Sequence, residues 1–400
     1  MSRTHLERVR AQEAETSPRV RLLADFVERR VLPAFDRHQD AREETFSLRP
    51  SSSDPRHFSP HVWRLDLPGR ASLDGEATAE PLSLILRAVF GWPWSLRWRR
   101  LAHRLEESRA IQQWLGERGF RVPRAALAAR GFDGRLLRHF WCSAEERVEG
   151  VEPDRGNPAH LEAAFRVLGQ LHSLRESRWG RPDAAGRAPY GPRRFGWKLQ
   201  KRAGSLFKRL EERRGLDLPR GLRRTLRDWM VQSADALVRQ MGQRPFSLIH
   251  GDFSPSNLLI EPSGELCLLD FGHARFAPAG FEFLDALFIF CFAHPSRAAL
   301  AAKAYFDHAP ADIGAQLRDH EGFLVLRTAL FQFAHFNEPD RLDWRQCREN
   351  RSLPADAAQA SLERLMSAAP GLMAQGADSD WPAVMKWLRA NKAFESALTI

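Results

Sequence analysis

One stretch constrains this chain more than any other: Leu248-Ile249-His250-Gly251-Asp252-Phe253-Ser254-Pro255-Ser256-Asn257-Leu258-Leu259-Ile260. A polar loop sits between two short apolar runs, and runs of that length read as buried strands. Glu261-Pro262-Ser263-Gly264-Glu265 then supplies a turn. Leu266-Cys267-Leu268-Leu269 reads as the return strand, and Asp270-Phe271-Gly272 follows at once. Such a hairpin brings Asn257 back beside Asp270. One local unit therefore gathers Asp252, Asn257 and Asp270, three side chains that end in oxygen.

The residue types carry chemistry. Asn and Asp oxygens suit a hard cation such as magnesium, and a further Asp can accept or orient a hydroxyl proton. Asp252 precedes Asn257 by five residues, and Asp-Phe-Gly comes one hairpin later. That order resembles the catalytic and metal loops of protein kinases. Gly251, where protein kinases have Arg, is similar to the aminoglycoside phosphotransferase and choline kinase families, small-molecule kinases built on the protein-kinase fold. The resemblance implies an α+β, bilobal protein-kinase-like fold. A helical extension (1–42) would precede a small antiparallel-sheet N-lobe (43–148) and a mostly helical C-lobe (149–400). It also implies transfer of the γ-phosphate of ATP, with GTP left open as donor, to a hydroxyl of a small molecule, with Mg2+ as cofactor. Asp252 would orient or deprotonate the acceptor, His250 would support the loop, and Asn257 and Asp270 would coordinate magnesium.

Within residues 43–91, Thr45-Phe46-Ser47-Leu48, His61-Val62-Trp63-Arg64-Leu65-Asp66-Leu67 and residues 82–89 read as three strands. In the resembling fold the first turn covers the phosphates. Here it would be Arg49-Pro50-Ser51-Ser52-Ser53-Asp54-Pro55, which has no glycine to permit close approach. The third strand should carry a phosphate-binding cation. The first lysine of the chain is Lys198, so Arg87, amid Leu84-Ile85-Leu86 and Ala88-Val89-Phe90, takes that role. Residues 101–115 read as the helix that supplies a Glu to the cation. Glu107 is favoured and Glu106 is the alternative. Residues 138–150 resemble the strand and hinge that join the lobes.

Residues 161–174 form an amphipathic helix, and His172 near its end reads as structural. Residues 175–222 are rich in Arg, Gly and Pro and read as an insertion. It either shapes the acceptor site or is a solvated loop, and a helix at 221–241 follows. Asp285, amid Phe and Leu, is expected to brace the catalytic loop. Residues 296–400 read as helical, with 323–336 the most apolar helix, and residues 17–40 form a further helix ahead of the first strand.

The net charge of +10 and pI near 10.1 suit an anionic partner such as a nucleoside triphosphate. Nucleic acid is not expected. Trp92-Pro93-Trp94-Ser95-Leu96-Arg97-Trp98-Arg99-Arg100 gives peripheral membrane contact as the lesser reading. Four cysteines without metal-ligand spacing, and an N-terminus without an apolar signal core, point to a reduced cytoplasmic protein. Two alternatives accompany the kinase expectation. One is a catalytically silent kinase-like binding protein; the other is a kinase for a membrane-associated or cell-envelope sugar.

Overall fold

The computed structural model describes residues 47–50, 62–67, 82–91, 96–133, 138–183, 185–191, 194, 245–291 and 297–319. The chain divides into two units, Met1–Glu149 and Gly150–Ile400. The expected helices at 17–40, 221–241 and 323–336, and the Trp92-Pro93-Trp94-Ser95 segment, lie outside the described residues.

The first unit holds a five-stranded antiparallel sheet in the order β1-β2-β3-β5-β4. Its strands are β1 (Ser47–Pro50), β2 (Val62–Leu67), β3 (Leu82–Gly91), β4 (Ala125–Asp133) and β5 (Arg138–Glu146). Period-two alternation explains β3: Leu84 and Leu86 are fully buried, whereas Ser83, Ile85 and Arg87 are half-buried. β5 is buried on both faces from Trp141 to Glu145. Helix α1 (Leu96–Gly116) packs on β3 and β4, and its Ala102 and Leu105 meet Trp141. Ile111 and Leu115 extend this buried face, each contributing about 1.5–3 kcal/mol relative to exposure. The described first strand, Ser47–Pro50, overlaps the expected one at Ser47 and Leu48. Arg49 and Pro50, expected in the turn that covers phosphate, pair with Arg64 and Trp63 in this strand. Residues 51–61 lie outside the described residues.

The second unit is helical around small sheets, which makes the chain α+β. Helix α2 (Pro158–Ser173) starts at Asn157, whose side chain accepts the Ala159 N–H, with Pro158 in the first turn. Its Phe165 meets Phe283 and Phe290 edge-on; both belong to α3 (Ala279–Cys291). Helices α4 (Ala298–Phe306) and α5 (Asp312–Asp319) follow. A Cβ at Gly169 would lie 2.5 Å from the Tyr305 carbonyl oxygen, so glycine lets α2 and α4 cross closely. β7 (Phe246–Ile249) lies between β6 (Arg175–Glu176) and β10 (Arg275–Ala277). β8 (Leu258–Ile260) and β9 (Leu266–Leu268) form the expected antiparallel hairpin. Among the described residues no helix is long and apolar enough to cross a membrane.

Candidate active site

β7 is buried along its whole length and delivers the chain into the polar loop at His250. The loop turns sharply at Gly251, where φ is +84°. A Cβ there would lie 2.3 Å from the His273 carbonyl oxygen, so conformation and space both demand glycine. A 3-10 turn at Pro255–Asn257 then leads into β8. Asp252 is exposed, whereas Phe253 and Pro255 beside it are buried and anchor the loop.

Hydrogen bonds close this loop onto the second Asp. Asn257 Nδ2 donates to the Asp252 carbonyl at 2.8 Å. The Asn257 carbonyl accepts the Leu269 N–H at 2.9 Å, and the Leu269 carbonyl accepts from His250 Nε2 at 2.7 Å. A carbonyl can only accept, so Nε2 carries the proton. His250 is fully buried and Asp252 is not; the histidine ties the loop to the strand before Asp270. Asp270 takes the left-handed conformation (φ 51°), which Asp tolerates better than most residues. Its Oδ1 accepts the Gly272 N–H at 3.0 Å and caps the 3-10 turn Phe271–His273.

Donor chemistry fits a cation here. The Asn257 amide spends its Nδ2 on the Asp252 carbonyl, so its Oδ1 is the atom it can offer to a metal. Asp270, one residue beyond the Leu269 partner of Asn257, supplies a carboxylate. Among the described residues no three His, Cys, Asp or Glu side chains gather into a metal-binding group. A cation held here would take its other ligands from water and phosphate, the usual habit of magnesium.

Glu282 on α3 braces the His250–Asn257 loop. It accepts the backbone N–H of His250 at 2.7 Å and that of Gly251. Asp285 was the residue expected there; the carboxylate that receives both amides comes one helical turn earlier. Glu282 also accepts from His172 Nε2 at 3.1 Å, and His172 Nδ1 accepts from the Tyr305 hydroxyl at 2.7 Å. Burial pushes the Glu282 carboxyl up, but the hydrogen bonds from His172 and from the Gly251 N–H hold it below its ordinary value. Burial, then the Glu282 charge, push the Tyr305 phenol well above its ordinary value, so it stays protonated and donates. His172 is structural, as its sequence setting suggested.

In the first unit Arg87 Nε donates to Glu145 Oε1 at 2.9 Å. Gln112 on α1 donates to the other oxygen of Glu145 and to the Pro123 carbonyl. Glu107 lies against His103 Nε2 at 3.3 Å. Glu145, on β5, thus places a carboxylate on Arg87. The signal was available in principle. Glu145 and Glu146 are adjacent on a strand and face opposite ways, and Glu146 is gripped by both Nη atoms of Arg121 at 3.1 Å.

The insertion read at 175–222 is described at 175–183, 185–191 and 194. Trp179 and Tyr190 exchange backbone hydrogen bonds, and their rings lie 5.4 Å apart.

A model of the phosphotransferase enzyme family, APH, matches residues 91–320, more than half of the chain. No curated protein sequence matches. Among solved structures, an aminoglycoside phosphotransferase from Alicyclobacillus acidocaldarius is 19% identical with a TM-score of 0.41, covering 78% of this chain and 91% of that one. The choline kinase LicA from Streptococcus pneumoniae is 13% identical at a TM-score of 0.44, covering 86% and 99%. An ethanolamine kinase from Plasmodium vivax is 13% identical at 0.43, covering 81% and 82%.

Proposed function

The chain belongs to the phosphotransferase enzyme family, and from that premise we propose that it transfers the γ-phosphoryl group of ATP to a hydroxyl of a small molecule. The hydrogen-bonded ring that joins Asp252, Asn257, Leu269 and His250 carries this reading. It supports Asp252 as the carboxylate for the acceptor and Asn257 and Asp270 as oxygen donors for a cation.

Asp252 aims the acceptor hydroxyl and takes its proton as the new O–P bond forms. The bond from the γ-phosphorus to the bridging oxygen breaks, and the nucleoside diphosphate leaves with that electron pair. Asn257 Oδ1 and the Asp270 carboxylate would hold Mg2+, which when bound neutralises charge on the phosphates. His250 keeps the loop in register with the metal turn. Arg87, held by Glu145, is proposed to bind nucleotide phosphate, a task its planar guanidinium suits. Glu107 on α1, with Glu106 as the alternative, is proposed to hold Arg87 alongside Glu145.

Among the described residues Cys142 and Cys291 are buried and form no disulfide, and burial pushes the Cys291 thiol up to about 12. Unpaired thiols support the proposal of a reducing, cytoplasmic setting. The deciding experiment is an acceptor screen with γ-labelled ATP across amino alcohols, aminoglycosides and sugars, using Asp252→Ala as the blank. Label moving to an acceptor with the wild-type protein alone supports the reading. Magnesium-dependent ATP binding with no transfer to any class identifies a silent binding protein instead.

A further inference from the structure

Gly272 is gripped from both ends of its peptide units. Its N–H is taken by Asp270 Oδ1 at 3.0 Å, and its carbonyl accepts from Arg181 Nη1 at 2.8 Å. Arg181 Nη2 reaches the Phe271 carbonyl at 3.3 Å. The guanidinium therefore caps the carbonyl end of the very turn whose amide end Asp270 caps. Arg181 stands about ninety residues earlier in the chain and belongs to none of the motifs that define the loops.

The segment that carries Arg181 is built to hold it still. Gly180 and Phe276 exchange both backbone hydrogen bonds, at 3.2 and 2.8 Å, so the segment lies along the edge of β10. Trp179 and Tyr190 close a hairpin above it. Gly180 has φ +119°, and a Cβ there would meet the Tyr190 ring at 3.0 Å. Asp183 fixes the far end, its Oδ1 accepting the N–H groups of Ala185 and Arg187 at 2.9 Å. Arg178 Nη2 donates to the Pro189 carbonyl and fastens the hairpin without touching the metal turn.

We infer that Arg181 is a positioning residue for Asp270: through the Phe271 and Gly272 carbonyls it holds the turn that aims the metal-binding carboxylate. The inference deepens the phosphotransferase reading, and its catalytic consequence rests on it. Two hydrogen bonds from a charged donor to uncharged acceptors are each stronger than a neutral pair. Their loss frees the turn while leaving the Asp270 side chain chemically intact.

Two measurements on the full chain test this. The first uses the nucleotide-free protein and follows amide hydrogen exchange in the peptide spanning residues 270–274. Arg181→Met should speed exchange there by about tenfold, the scale of one lost charged hydrogen bond. Arg181→Lys, which keeps a donor, should fall between, and Arg178→Met should leave that peptide at the wild-type rate. The second titrates Mn2+ against the protein with AMP-PNP by electron paramagnetic resonance. Arg181→Met should weaken Mn2+ binding about tenfold while metal-free nucleotide affinity stays within about twofold of the wild type. Unchanged exchange, or Arg178→Met matching Arg181→Met in both assays, overturns the inference. A wild-type protein that binds no Mn2+–nucleotide overturns the phosphotransferase reading, and the exchange result still decides what Arg181 does to the turn.

Discussion

Arg87 and Glu145 meet at 2.9 Å although the strand register sets Arg87 opposite Ser143. The pair is diagonal: Glu145 lies two residues along β5 on the same face, within reach of a long side chain. Gln112 holds the second Glu145 oxygen, so the carboxylate bridges a strand and a helix. Arg87→Met should raise KM for the nucleotide roughly tenfold with kcat less affected, since the phosphate contact proposed for it, made equally in ground and transition states, would be lost. Glu145→Gln keeps the shape and releases Arg87, and should raise it about threefold. Steady-state kinetics at varied nucleotide concentration read both.

Asp252 offers its carbonyl to Asn257 and keeps its side chain at the surface of the loop. Asp252→Asn should lower turnover by about 10²–10⁴, the range for losing a general base, the role proposed for it. The unfolding free energy should stay within about 0.5 kcal/mol, as for a surface change that breaks no structural bond. A large drop in urea midpoint alongside the lost activity would assign Asp252 to the scaffold instead.

Gly251 shows the opposite pattern. Its left-handed φ and the His273 oxygen 2.3 Å from an added Cβ make Gly251→Ala costly. The loss should be about 2 kcal/mol or more, combining backbone strain and displacement of the turn after Asp270. Urea unfolding monitored by tryptophan fluorescence measures it, and an unchanged midpoint would contradict the geometry.

Glu282 makes stability depend on acidity in one direction. Its folded pKa lies below the ordinary value of 4.5. The stabilisation is therefore present above that value and is lost as pH falls through the folded pKa. Glu282→Gln places an NH2 group against the His250 and Gly251 amides and should cost about 2–3 kcal/mol near pH 7. The gap between wild type and variant should narrow below pH 4.5. Denaturation midpoints of both proteins between pH 7 and 3.5 decide it, and a constant gap would remove Glu282 from the acid response.

The loop, the hairpin and the Asp-Phe-Gly turn were legible because their signals are local. Apolar runs bracket them, turn residues punctuate them, and the β8–β9 register carries Leu269 to Asn257 without outside help. The supporting carboxylates were not. Glu145 lies 58 residues from Arg87, and Glu282 lies 32 residues from His250. Glu282 and Asp285 sit three apart on one helix, so neighbouring positions compete for the same role, and only the packing of α3 against β7 chooses. Glu145 was hidden in a segment read for its backbone. Arg181 gave no signal at all, being one arginine among many in a segment without periodicity.

Asp270 holds a backbone conformation that asparagine tolerates as readily as aspartate. Asp270→Asn can keep the bend and the bond to Gly272, because an amide oxygen accepts that N–H too. What disappears is the negative charge. The exchange yields an unaltered frame with a silenced centre, a lure that can be steeped in cell extract to retrieve whatever alcohol the natural enzyme consumes too quickly to be caught.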